Sequence, residues 1–195
     1  MRQNKLNNNV LLTLFASIIV IQILVPFLGY IPLGMSIIGI QISIIQFTVA
    51  LAALLLGPKG GAILGGIWGL MSFVHAWTLN YSIGAIIFRN PVIAIIPRIL
   101  VGLIIGILFK KIKKTNPASL ALYGGLASFI NTLFVTILIY LFTIFFHLPL
   151  HHENNLLWWI LSSLVGVNGI AEIITGIIIF PIIAGPIIKH YYHIS

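Results

Sequence analysis

Six runs of mostly apolar residues, near 10–29, 42–56, 60–76, 93–109, 119–146 and 166–188, leave this chain only one solvent in which to fold. A helix needs roughly 20 such residues to cross the hydrocarbon core of a bilayer. Inside lipid every backbone N–H and C=O must be paired, so runs of this length are read as helices. Composition agrees: 60% of residues are hydrophobic, 6% are charged and the mean hydropathy is +1.17, whereas a soluble domain carries about 25% charged residues. The expected fold is an all-α membrane protein, one integral domain over 1–195 with six transmembrane helices. The second and third spans meet at a tight turn, Gly57-Pro58-Lys59-Gly60. Residues 154–165, which include Trp158 and Trp159, read as a short interfacial or re-entrant helix, with both indoles at headgroup depth.

The cations set the expected orientation. Arg2, Lys5, Lys59, Lys110, Lys111, Lys113, Lys114 and Lys189 fall on one side of the six spans, and Arg89 and Arg98 lie toward the other. The positive-inside rule makes the lysine side and both termini cytoplasmic. The net charge of +8 is thus a topology signal, and its scatter over separate segments argues against nucleic acid as a partner. Arg2 and Lys5 before an apolar run resemble a signal peptide, but residues 10–28 are long for one and no small-x-small site precedes Pro26. An uncleaved first helix is expected.

Several chemistries are excluded. Without cysteine there is no disulfide, thiolate metal site or cysteine nucleophile. No G-x-x-x-x-G-K-[ST] phosphate loop occurs, so the chain is not expected to hydrolyse nucleotide. His147, His151, His152 and Glu153 suggest a metal, but Pro149 breaks the helix that would align them, and a solvated outer loop is the expected reading. No metal and no cofactor are expected.

Against this background, polar residues within spans need a reason. An arginine in hydrocarbon costs a few kcal/mol or more unless it meets a partner or water. Arg98 therefore marks a candidate site, with Gln46, Asn131, Asn168 and Glu172 as the other intramembrane polar groups. Asn168 and Glu172 are four apart and leave one helix face. Two arrangements stay open: Arg98 pairs with Glu172 across helices, or these groups line a cavity in which Arg98 grips an anion as a bidentate fork. The segment from about 77 to 90, with Trp77, Asn80, Tyr81 and Asn90, suits either a lid or interfacial anchoring. His75 reads as an ordinary interfacial histidine. Gly61, Gly65 and Gly69, repeated by Gly102 and Gly106, clear helix faces for close packing, within the protomer or against another membrane protein.

Four runs carry a family resemblance: Leu54-Leu55-Leu56-Gly57-Pro58-Lys59-Gly60-Gly61, Pro97-Arg98-Ile99-Leu100-Val101-Gly102, Ile130-Asn131-Thr132-Leu133 and Asn168-Gly169-Ile170-Ala171-Glu172. Over roughly residues 45–188 the chain resembles the substrate-binding (S) components of energy-coupling factor (ECF) vitamin transporters, the pantothenate type in particular. The resemblance implies six helices, cytoplasmic termini and a substrate cavity near the outer face. It also implies partners, a transmembrane coupling subunit and two cytoplasmic ATPases, that supply the work. Thr13, Ala16 and Ser17 stand where many members carry a pair of alanines for docking onto the coupling subunit. Gln46-Phe47-Thr48-Val49 stands where the pantothenate type is expected to show histidine and proline.

On this basis Arg98 is expected to pair with the carboxylate of pantothenate. Asn131, Asn168 and Glu172 would bond its amide and hydroxyls, with Gln46 and Asn90 as further polar candidates and Trp68, Trp77 and Tyr81 as apolar cover. Alternatives are an S component for a pyridoxine- or hydroxymethylpyrimidine-like vitamin, or a stand-alone proton-coupled transporter using Glu172. An intramembrane enzyme is disfavoured, because Glu172 is the only acid within a span.

Overall fold

The computed structural model describes residues 45–78, 83–146 and 168–193, the short segments 30–32 and 41–43, and residues 16 and 20. Among the described residues, five helices follow a small ribbon. Strand β1 (Tyr30–Pro32) pairs antiparallel with β2 (Gln41–Ser43), Tyr30 opposite Ser43. The helices are α1 (Ile45–Thr78), α2 (Ile83–Phe88), α3 (Pro91–Ile112), α4 (Pro117–Phe146) and α5 (Ile170–His193). Four of them, α1, α3, α4 and α5, are long and apolar enough to cross a membrane. Their outward faces carry exposed Leu122, Phe129, Phe145, Ile178 and Ile182, a surface suited to lipid rather than water.

Helix α1 doubles back at Gly57, the expected turn. Gly57 has φ 78° and ψ −177°, a conformation open essentially to glycine. Beyond it the chain reverses: a Cβ placed on Gly61 would lie 2.6 Å from the Cβ of Ala53, although eight residues of straight helix would separate them by about 12 Å. The arms 45–56 and 58–78 therefore run side by side, and Ala52 and Leu64 form a small core between them.

Glycine then brings the second arm against α3. A Cβ on Gly61 would sit 2.7 Å from the carbonyl oxygen of Gly102, and one on Gly69 would sit 2.6 Å from the Cα of Ile95. Between these, Gly65 faces the Arg98 carbonyl, and Pro58 meets Gly106 at the far end. The same device joins α4 to α5, where a Cβ on Gly176 would lie 2.7 Å from the carbonyl carbon of Gly124. The Gly61–Gly65–Gly69 face is thus covered by α3 of the same protomer, the first of its two expected uses.

Caps fix the remaining ends. Asn90 accepts from the Val92 N–H at 2.9 Å ahead of Pro91 at the first helical position of α3. At the other end Lys113 turns left-handed (φ 52°) and donates its N–H to the Phe109 carbonyl at 2.8 Å. Asn116 caps α4 through the Ser119 N–H at 2.9 Å. This α3–α4 turn gathers exposed Lys110, Lys111, Lys113 and Lys114, and Lys110 reaches back toward the Gly57 turn beside Lys59. Gly185 packs near Leu120 at the start of α4, so Lys189, one turn on, lies at this end too. The described lysines therefore share one end of the bundle, and Arg89 lies at the other.

Two boundaries are corrected. The second span begins at Ile45 rather than 42, because residues 41–43 pair with 30–32. Residues 83–88, read as part of a loop, form α2 and pack Ile87 against Ile93, Val135 and Ile139. The first span (10–29, apart from Ala16 and Val20), the loop His147–Glu153 and the short helix expected at 154–165 lie outside the described residues.

Candidate functional site

Arg98 lies two turns into α3 from Pro91 and is 5% exposed. Its Nη1 donates to the Ile93 carbonyl at 3.0 Å. The guanidinium carbon stands 4.5 Å from the ring centroid of Phe88 and 5.1 Å from that of Trp68. Aromatic faces carry negative potential, so two of them replace part of the hydration an arginine loses on burial. The Gly65–Arg98 approach brings this about. Without a side chain at Gly65, the arm that carries Trp68 can lie directly on α3.

A second polar chain crosses the bundle at a similar depth. Gln46 Nε2 donates to Ser128 Oγ at 2.9 Å, and Ser128 Oγ donates in turn to the Glu172 carbonyl at 2.9 Å. Helix registers place the other candidates. The reversal at Gly57 sets Gln46 near the level of Trp68. The contacts Phe109–Tyr123 and Ile93–Ile139 set Arg98 within about a turn of Asn131, and the Gly124–Gly176 crossing sets Asn131 near Asn168. Arg98, Trp68, Gln46, Asn131, Asn168 and Glu172 thus lie at a similar depth along the bundle, one layer by height, on the arms of α1 and helices α3, α4 and α5. Gln46, Asn131 and Glu172 are buried.

That layer is chemically incomplete. Gln46 Oε1, Asn131 Oδ1 and Asn168 Oδ1 are buried and find no hydrogen-bond partner among the described residues. An unmet buried amide oxygen costs about 1–3 kcal/mol. Three such oxygens lie at about the depth of the buried guanidinium, and an amide oxygen accepts protons from hydroxyl and amide groups alike.

Other candidates sit elsewhere. Asn90 is the α3 cap, which accounts for its side chain without a ligand. Trp77 is 59% exposed and takes the Arg89 guanidinium at 5.0 Å, while Arg89 Nε donates to the Ala76 carbonyl at 3.1 Å. The structure thus brings Trp68, not Trp77, against Arg98. His75 contacts the Met71 carbonyl of its own helix at 3.1 Å. Tyr81, Thr13 and Ser17 lie outside the described residues, and Ala16 is exposed. Two members of the layer escaped the sequence analysis. Ser128 is one turn from Asn131, a spacing that could have revealed it. Phe88 is one apolar residue among many, and nothing in the sequence distinguishes it.

Comparison with known proteins decides the family. The model of the ECF transporter substrate-specific component matches residues 10–184. The chain belongs to that family. It is 49% identical to the pantothenate transporter PanT of Leuconostoc mesenteroides subsp. mesenteroides, over 92% of this chain and 91% of the relative. It is 28% identical to the pantothenic acid transporter PanT of Lactococcus lactis subsp. cremoris, over 92% of each. As an S component with these apolar helices, it is a multi-pass transport protein of the cell membrane.

Proposed function

We propose that this S component binds pantothenate from outside the cell as the substrate-recognition subunit of an ECF importer. One observation carries the choice of an anionic substrate: Arg98, buried between Trp68 and Phe88, in a layer with amide oxygens of Gln46, Asn131 and Asn168. Pantothenate offers one carboxylate for the guanidinium, and one amide N–H and two hydroxyls for those oxygens. Its carboxylate is complementary to a guanidinium, a match that pyridoxine- or hydroxymethylpyrimidine-like vitamins do not offer. The 49% identical relative, named for pantothenate, supports the same choice.

Six crossings with cytoplasmic termini complete the proposal, the first span being residues 10–29 and the lysine end facing inward. Energy would come from partner subunits, a transmembrane coupling subunit and two ATPases, with Thr13, Ala16 and Ser17 on the docking helix. The chain would be one substrate-binding domain and carry no nucleotide site of its own. Two experiments test these claims. Labelled pantothenate should bind the purified chain and be displaced by unlabelled pantothenate but not by pyridoxine; displacement by pyridoxine alone would refute the substrate. Proteoliposomes holding only this chain should show no pH-driven uptake, and adding the coupling subunit, ATPases and ATP should give ATP-driven uptake. Uptake by the chain alone would favour the proton-coupled alternative through Glu172.

A further inference from the structure

Proline at 97 lies inside α3 and takes one backbone donor out of the helix. In an uninterrupted helix the N–H of residue 97 would donate to the carbonyl of residue 93. Pro97 has no N–H, so Ile93 loses its partner one turn from the helix start. Ile93, Ala94 and Pro97 are all buried, and a carbonyl left bare in such surroundings is costly. The structure fills the gap with the next residue's side chain: Arg98 Nη1 donates to Ile93 O at 3.0 Å.

We infer that Pro97 is a positioning residue for substrate recognition, exposing the backbone acceptor that holds the Arg98 guanidinium in its binding pose. Side chains on a helix lean toward its N-terminus, so Ile93 O lies where an arginine at 98 can reach it. One nitrogen held on that carbonyl, with Phe88 at 4.5 Å and Trp68 at 5.1 Å from the guanidinium carbon, restricts how the fork can turn. The direction from which a carboxylate must approach is then set before the ligand arrives. An alanine at 97 supplies an N–H that competes for Ile93 O. It leaves the cation in place but frees its orientation.

The inference rests on the proposed pairing of Arg98 with the carboxylate, and the test separates the two. Affinities for pantothenate and for its neutral alcohol analogue are measured on purified wild type, Pro97→Ala and Arg98→Ala. Pro97→Ala should weaken pantothenate binding roughly tenfold and leave the alcohol within about twofold of wild type, so the preference for the anion falls. Pro181→Ala, which removes a proline inside α5, should leave that preference unchanged. Pro97→Gly supplies the same N–H without an added side chain and serves where the alanine variant folds poorly. A wild-type preference in both Pro97 variants, with the preference lost in Arg98→Ala, overturns the inference and leaves the pairing intact. A wild-type preference in Arg98→Ala overturns both.

Discussion

At the scale of single residues, the bundle keeps polar groups that a purely structural membrane protein would do better without. Asn131 is buried with its Oδ1 unmatched among the described residues; so is Gln46 with its Oε1, and half-buried Asn168 has a buried Oδ1 in the same condition. Leucine shares the heavy-atom branching of asparagine and removes the unmet group, so Asn131→Leu should stabilise the ligand-free protein by about 1 kcal/mol. The same change should weaken pantothenate binding. Thermal unfolding with and without ligand reads both effects, and a lower melting point with unchanged affinity would mark Asn131 as a structural residue. These groups were legible in the sequence because any amide or charge inside an apolar span stands out against its neighbours. Ser128 and Phe88 were not. A serine can satisfy itself on its own helix, and a phenylalanine in lipid attracts no notice until Arg98 is seen beneath its ring.

At the scale of helices, the site depends on how closely two segments approach. Gly65 faces the Arg98 carbonyl with no room for a methyl group. Gly65→Ala must push the second arm of α1 away from α3 and carry Trp68 off the guanidinium. The expected result is a destabilisation of about 1–3 kcal/mol together with weaker pantothenate binding, measured as a lower melting point and a higher Kd in the same sample. Ala62→Gly, on a partly buried neighbouring position, should leave the affinity near wild type and serves as the comparison. The four-residue glycine repeat announced a close contact but not its partner, since a stripe of small residues fits any helix of suitable shape. The Gly57 turn was readable from glycine and proline chemistry. The ribbon 30–32/41–43 and helix α2 were not, because each is too short for a hydrophobic period to build up.

For the whole molecule, charge separates the ends. The described lysines lie at the Gly57 and α3–α4 turns and the end of α5, and Arg89 with Trp77 marks the opposite end. Native cysteine is absent, so introduced thiols report orientation directly. In intact cells a membrane-impermeant maleimide should label the Trp77→Cys variant, and it should label Lys114→Cys only after permeabilisation. The reverse pattern would place the lysine end outside and break the proposed topology. The overall class was plain from hydropathy alone. The shared layer that joins α1, α3, α4 and α5 was not, because it arises from helix registers set by glycine contacts far apart in the chain.

The most direct measurement is equilibrium binding of pantothenate to purified wild-type and Arg98→Ala protein, with folding of each checked by size-exclusion chromatography. Removing one partner of a buried ion pair costs about 2–5 kcal/mol, so the variant should lose at least about 30-fold in affinity. A folded Arg98→Ala protein that binds pantothenate as tightly as wild type would contradict the claim that this guanidinium recognises the substrate.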